Sequence, residues 1–280
     1  MSWKLIPRPL VDRSSLDLSA IQPDRFRDLD VDAVARVRLG LGNEPIELGE
    51  CFDIEGAGGD DFVEIAGSVK TSIYLGIGMK SGILRVSGDC GRLTGVEAEG
   101  GTIDVAGSVG FGAGSAMRGG LLRVQGDAGS GLGGAYPGSS IGMRDGTILV
   151  AGSAGDDVGL AMRRGLIAIG GSAGAGTGRS MIAGSIFVAG TVAKGTGAGM
   201  KRGTIVLMDE NTLIDEAVSP TFAATGRFRP HFLAIYLRRL DELGFAVDPR
   251  LFGCECERYN GDLIERGIGE ILVCNPYSVT

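Results

Sequence analysis

Gly101-Thr102-Ile103-Asp104-Val105-Ala106-Gly107-Ser108-Val109-Gly110 and Gly146-Thr147-Ile148-Leu149-Val150-Ala151-Gly152-Ser153-Ala154-Gly155 are two copies of one pattern. The leading glycine recurs at Gly82, Gly101, Gly120, Gly146, Gly165, Gly184 and Gly203, in steps of 19, 19, 26, 19, 19 and 19 residues. A period held that long marks a repeat architecture in which each repeat is one turn of a solenoid. Ile103 and Val105 stand two apart and face one side of a short strand. The same two columns hold Leu84/Val86, Leu122/Val124, Ile148/Val150, Ile167/Ile169, Ile186/Val188 and Ile205/Leu207, aliphatic ladders that point inward. The glycines are corners, where a residue without Cβ turns freely.

Three residues before each marker glycine runs a second ladder of Met79, Met117, Met143, Met162, Met181 and Met200, with Ala98 in the remaining turn. Met packs adaptably into interior gaps, so this column reads as core and not as a thioether metal site. Asp61-Phe62-Val63-Glu64-Ile65-Ala66-Gly67-Ser68-Val69 is an earlier, weaker turn. The reading gives about eight turns over 61–208, a stack roughly 34 Å long at one strand spacing per turn. The long step carries an insertion within Ser130–Ser139, expected as a loop on one face. Residues 1–60 are expected as an N-terminal cap with lead-in strands, and 209–280 as a C-terminal helix and tail. Within the latter, Leu233, Tyr236, Leu237, Leu240 and Leu243 keep helical spacing, which predicts a helix over Pro230–Leu243 ended by Gly244.

The 280 residues include 50 glycines without a collagen triplet, which together with periodic aliphatics means tight turns and not disorder. No apolar stretch is long enough to span a membrane and the N-terminus lacks an apolar signal core, so the expected location is cytoplasmic. Cys90 shares an inward column with Val109 and Ala128, and Cys254-Glu255-Cys256 has a poor spacing for a zinc knuckle. With His231 as the single histidine and no matching metal set, no metal site is expected, and a chain spent mostly on stacking makes catalysis of its own less expected. Residues 61–208 hold 13 basic and 10 acidic side chains, whereas the flanks hold 14 and 24. Acidic ends on a mildly basic stack suit caps that resist edge-to-edge association.

The position after the Met ladder reads Lys80, Glu99, Arg118, Arg144, Arg163, Ile182 and Lys201, with Arg164 and Arg202 one place further on. Stacked turns set these about one strand spacing apart, where like charges repel unless anions or carboxylates intervene. Lys80, Arg118, Arg144, Arg163, Arg164, Lys201 and Arg202 are the candidate site: a groove for an acidic partner or a polyanionic cofactor tail. The bland reading is a solvated face neutralised by neighbours such as Glu99 and Asp145. Nucleic acid is not expected, because the chain is acidic and no aromatics interleave with the basic residues. The outward strand column, Glu64, Arg85, Asp104, Arg123, Leu149, Ala168, Phe187 and Val206, starts charged and turns apolar. That change suggests a partner interface more than a carbohydrate cleft.

The G-x-I-x-V-x-G-S-x-G turns with their M-[KR]-x-G step resemble the glycine-rich repeat shared by the C-terminal domain of glutamate synthase large subunits and by the C-type subunit of formylmethanofuran dehydrogenase. The tail Arg258-Tyr259-Asn260-Gly261-Asp262-Leu263-Ile264-Glu265-Arg266-Gly267-Ile268-Gly269-Glu270-Ile271-Leu272-Val273 resembles the second family. The resemblance implies a right-handed parallel β-helix, about 19 residues per turn, in a chain whose chemistry is carried by neighbouring subunits of the A, B and D type. Of its two branches, the formyltransferase/hydrolase complex of methylotrophic bacteria is favoured over the archaeal tungsten- or molybdenum-dependent dehydrogenase. In the former, a formyl group passes between tetrahydromethanopterin and a methanofuran-type carrier and is hydrolysed to formate. The carrier's glutamyl tail is then a candidate occupant of the basic column. The competing expectations are a stand-alone β-helix enzyme acting on carbohydrate and a free-standing glutamate synthase-type domain. A left-handed acyltransferase coil is disfavoured, since its turns would run in multiples of six.

Overall fold

The computed structural model describes residues 2–9, 11, 15–209 and 212–274. Among these residues strands dominate: one sheet has thirteen of them, a second has five, and the longest described helix spans Leu233–Glu242. Parallel strands Phe62–Ile65, Ile83–Val86, Thr102–Val105, Arg118–Val124, Asp145–Val150, Leu166–Ile169, Ser185–Val188 and Thr204–Leu207 lie side by side, one per sequence repeat. Their register follows the repeat, with Leu84, Ile103, Leu122, Ile148, Ile167, Ile186 and Ile205 paired in succession. Both inward aliphatic columns and the whole Met ladder are buried. A second parallel ladder joins Cys90, Val109, Ala128, Ala154, Ala173 and Val192. One repeat cannot bury its apolar face alone, so stacking is what makes the core continuous.

The corners have two chemistries. All seven marker glycines take φ between +72° and +110°. A Cβ on Gly165 would meet the Gly146 carbonyl at 2.9 Å and Met143 Cε at 2.8 Å, so both backbone and space demand glycine there. At the other corner, side-chain oxygens of Asp89, Ser108, Asp127, Ser153 and Ser172 each accept the N–H of the matching residue one turn later, at 2.7–3.2 Å. The recurring Gly-Ser or Gly-Asp step thus satisfies amides that lie outside the main strands.

The inserted loop is displaced slightly from its expected place. In regular turns the ladder Met donates to a glycine three residues back, as Met117 to Gly114 and Met162 to Gly159. Met143 N–H instead reaches the Gly133 carbonyl at 2.9 Å, so the extra residues lie between Gly133 and Met143. The flanking segments also feed the large sheet. Trp3–Pro7 pairs parallel with Phe62–Ile65 and antiparallel with Phe52–Gly56. At the far end Gly269–Cys274 pairs parallel with Thr204–Leu207, followed by antiparallel Cys256–Gly261 and Ala223–Phe228.

The predicted helix is present over Leu233–Glu242. Pro230 sits in the preceding turn, where its carbonyl accepts from Leu233 N–H at 2.9 Å. Its apolar stripe of Leu233, Leu237 and Leu240, extended by Phe245 and Leu251, packs on Leu149, Leu166, Ala168, Phe187, Val206 and Leu272. This overturns the expectation that the apolar end of the outward strand column is a partner interface. Leu149, Ala168, Phe187 and Val206 are at most 3 % exposed, because the chain's own helix covers them. Two matching apolar surfaces are visible in the sequence, but which covers which is a property of the packed chain.

Candidate functional site

The basic column is a physical edge of the stack. From Glu99 onward, each residue after the Met ladder donates its N–H to the ladder residue one turn earlier: Glu99 to Met79, Arg118 to Ala98, Arg144 to Met117, Arg163 to Met143, Ile182 to Met162 and Lys201 to Met181, at 2.7–2.8 Å. Lys80, Arg118, Arg144, Arg163, Arg164, Lys201 and Arg202 are all exposed.

The edge is not uniformly charged. Arg118 is held between Glu97 at 3.2 Å and Glu99 at 3.1 Å, and Lys201 lies 3.7 Å from Glu265. The inserted loop reaches back to this edge: the Tyr136 hydroxyl donates to Glu97 Oε1 at 2.8 Å. That hydrogen bond, and then the charge of Glu97, raise the Tyr136 hydroxyl above its ordinary value. Lys80, Arg144, Arg163, Arg164 and Arg202 make no ion pair among the described residues. Arg144, Arg163 and Arg164 occupy two successive turns, where like charges one strand apart repel by about 1 kcal/mol per pair in water. An anion placed between them removes that penalty. The Tyr136–Glu97–Arg118 cluster escapes sequence reading, since nothing in the chain says where an inserted loop folds back.

Beyond the basic edge, the outward strand face carries a charge ladder. Glu55, Lys4, Glu64, Arg85, Asp104 and Arg123 are successive partners across the sheet. Arg123 Nη1 lies 2.7 Å from Asp104, Lys4 Nζ lies 3.0 Å from Glu55, and the Arg85 guanidinium stacks over Phe62. A cleft of about 300 Å³ opens here, lined by Arg85, Ser87, Asp104, Arg123 and Gln125. The carboxylates alternate with arginines instead of clustering, which is not the arrangement a carbohydrate-cleaving site needs.

A third exposed feature is the turn between the last two strands. Asp262 anchors it by accepting from the N–H groups of Gly199 and Ile264, both at 2.9 Å. Desolvation raises the Asp262 carboxyl, but those two backbone bonds and a hydrogen bond from the Thr221 side chain outweigh it and leave it below its ordinary value. Leu263, Ile264 and Ile268 project from the turn, 61 %, 81 % and 55 % exposed. Through Glu265 this apolar tip adjoins the basic edge at Lys201.

His231 is exposed in the turn before the helix. Cys51 and Cys90 are buried apart from the other cysteines, and burial raises both thiols. The C-x-C step, discounted by its spacing, meets Cys274: the three sulfurs lie within 4.8 Å of one another. No helix among the described residues is long and apolar enough to cross a membrane.

No protein-family model matches the chain. The C-type subunit of molybdenum-containing formylmethanofuran dehydrogenase 1 from Methanothermobacter thermautotrophicus is 40 % identical over 92 residues, as is that of Methanothermobacter marburgensis. The match spans 32 % of this chain and only 23 % of those relatives. A crystal structure of the formyltransferase/hydrolase complex (FhcABCD) from Methylorubrum extorquens, in complex with methylofuran, contains a chain that is 33 % identical. The superposition has a TM-score of 0.85 and covers 97 % of this chain and 99 % of that one.

Proposed function

This chain belongs to the family of C-type subunits of formylmethanofuran dehydrogenases and formyltransferase/hydrolase complexes, and from that premise we infer that it is a structural subunit of a one-carbon complex. In that role it has no active site of its own. Partner subunits of the A, B and D type transfer a formyl group between tetrahydromethanopterin and a methanofuran-type carrier and hydrolyse it to formate, in the cytoplasm. The observation that carries the reading is the end-to-end match to a chain of the FhcABCD complex, 97 % of one and 99 % of the other. The shorter match to the molybdenum enzyme makes the dehydrogenase branch the second reading. Molybdenum or tungsten in the purified assembly would favour that branch.

We read the parallel ladders as a right-handed parallel β-helix over 61–208, with 1–60 and 209–280 as its flanking caps. Rigidity suits a scaffold: stacked turns hold their outer surfaces at fixed spacing. Among those surfaces the basic edge is the proposed contact for an acidic partner or the carrier's glutamyl tail. Arg144, Arg163 and Arg164 are its centre, with Lys80 and Arg202 beside them. Arg118 and Lys201, already neutralised by carboxylates, shape the edge more than they charge it.

Co-expression with the three partner subunits, followed by affinity purification and a formyltransferase assay, tests the assignment. A four-subunit assembly with activity is expected. A chain that stays alone in the presence of all three would overturn it. Within the assembly, Arg144→Glu with Arg163→Glu is expected to weaken carrier affinity or assembly by about tenfold or more, with strong salt dependence. Unchanged assembly and unchanged carrier affinity would remove the basic edge from the proposal.

A further inference from the structure

The sulfur cluster at the end of the sheet is absorbed neither by the scaffold role nor by the basic edge. Residues two apart on extended chain face the same side. Cys254 and Cys256 stand so, where the chain enters the strand Cys256–Gly261. In that strand's antiparallel register Cys256 lies directly opposite Cys274, which puts both side chains on one face as well. Cys256 and Cys274 are joined as a disulfide, and both are wholly buried beside Leu272 and Leu251 in the apolar layer under the helix. Cys254 is a free thiol, partly exposed, with its Sγ 3.7 Å from that of Cys256. A cross-link needs two sulfurs. The third is reachable from solvent and lies beside the buried disulfide, within reach of both bonded sulfurs but off the line of their bond, so a side-chain rotation must bring it into line before it acts as an exchanging nucleophile.

We propose that Cys254, Cys256 and Cys274 form a thiol–disulfide exchange site, in which Cys254 is the thiol through which external thiols reach the buried cross-link. Cys254 Sγ gives its proton to solvent, and the thiolate attacks Cys256 Sγ. The Cys254–Cys256 bond forms as the Cys256–Cys274 bond breaks. The electron pair leaves on Cys274 Sγ, which takes up a proton. One disulfide and one thiol stand on each side, so the step needs no oxidant or reductant. The new disulfide includes the partly exposed sulfur. An external dithiol can then attack it, forming its own disulfide and leaving three protein thiols. Burial raises the Cys254 thiol, which makes the exchange slow but does not block it. The bond so controlled ties together the hairpin whose second strand closes the parallel ladder.

The test uses the full-length chain purified without reductant. Free thiols are alkylated, the chain is cleaved after glutamate so that Glu255 separates Cys254 from Cys256, and disulfides are mapped by mass spectrometry. A minor Cys254–Cys256 species is expected in the native chain, and it should become the major species in Cys274→Ser. In Cys254→Ser, reduction of Cys256–Cys274 by dithiothreitol under native conditions should slow by about tenfold or more, and return to the native chain's rate in denaturant. Equal native rates for Cys254→Ser and the unaltered chain would overturn the proposal. So would the absence of any disulfide to Cys254 in both the unaltered chain and Cys274→Ser. A stoichiometric zinc or copper ion protecting all three thiols would overturn it in favour of a metal centre. If Cys254→Ser loses native circular dichroism, Cys254→Ala and the map of the unaltered chain decide between the same outcomes.

Discussion

Two halves of one sheet face solve the same problem differently. From Glu55 through Lys4, Glu64, Arg85 and Asp104 to Arg123, outward residues alternate in sign and stay partly in water. From Leu149 through Ala168, Phe187 and Val206 to Leu272, the same column is apolar and buried under the Leu233–Glu242 helix. A parallel stack forces each outward side chain against its equivalents above and below. Like charges cannot repeat there without a penalty, so a bare face must alternate sign, whereas a covered face must be apolar. The change at Arg123/Leu149 therefore marks where the helix begins to cover the sheet. The basic edge breaks the alternation rule at Arg144 and Arg163, which is the physical ground for giving it an external anion.

The covered half carries the largest expected effects. Leu237→Ala should cost about 2–5 kcal/mol in chemical denaturation, because a fully buried side chain leaves a cavity between helix and sheet. Phe187→Ala should fall in the same range, and a cost below about 1 kcal/mol at both would mean that the helix is not seated on the sheet. Next in size is Asp262→Ala, expected to cost about 1–3 kcal/mol by orphaning backbone donors at the end of the covered half. Asp262 has a depressed folded value, so its contribution is complete above the ordinary carboxylate range and is lost as pH falls through the lower folded value. Amide exchange at Gly199 and Ile264 should rise with that titration, and acid-insensitive protection would contradict the anchor.

In the charged half, Asp104→Ala should cost only about 1 kcal/mol, leaving Arg85 and Arg123 on either side of a gap. A double-mutant cycle with Arg123→Ala measures the pair, and coupling that ignores added salt would argue against an electrostatic ladder. Smallest is Lys4→Ala, whose exposed pair with Glu55 should contribute less than about 0.5 kcal/mol. A larger loss would show that the charged half is more tightly held than its exposure implies.

Legibility followed periodicity. The marker glycines, the aliphatic pairs and the Met ladder could be placed because a fixed step of 19 residues makes each turn report on the others. The column of Lys80, Arg118, Arg144, Arg163 and Lys201 was legible for the same reason, and the structure adds the backbone bond that stacks each of them after Lys80. Features that depend on one-off encounters were not. Tyr136 reaching Glu97, Glu265 reaching Lys201 and Cys274 facing Cys256 join segments 39, 64 and 18 residues apart, outside the repeat register.

By itself, then, the sequence determined the strand-rich stack, its register and its basic edge, because repetition turns spacing along the chain directly into spacing in the fold. Only the tertiary structure decided which of those surfaces remains open. It put the helix over the apolar strands, neutralised Arg118 and Lys201 but not Arg144 and Arg163, and gathered three sulfurs at the sheet's end. Those outcomes depend on how non-repeating segments pack back onto the repeat, and no periodicity encodes that.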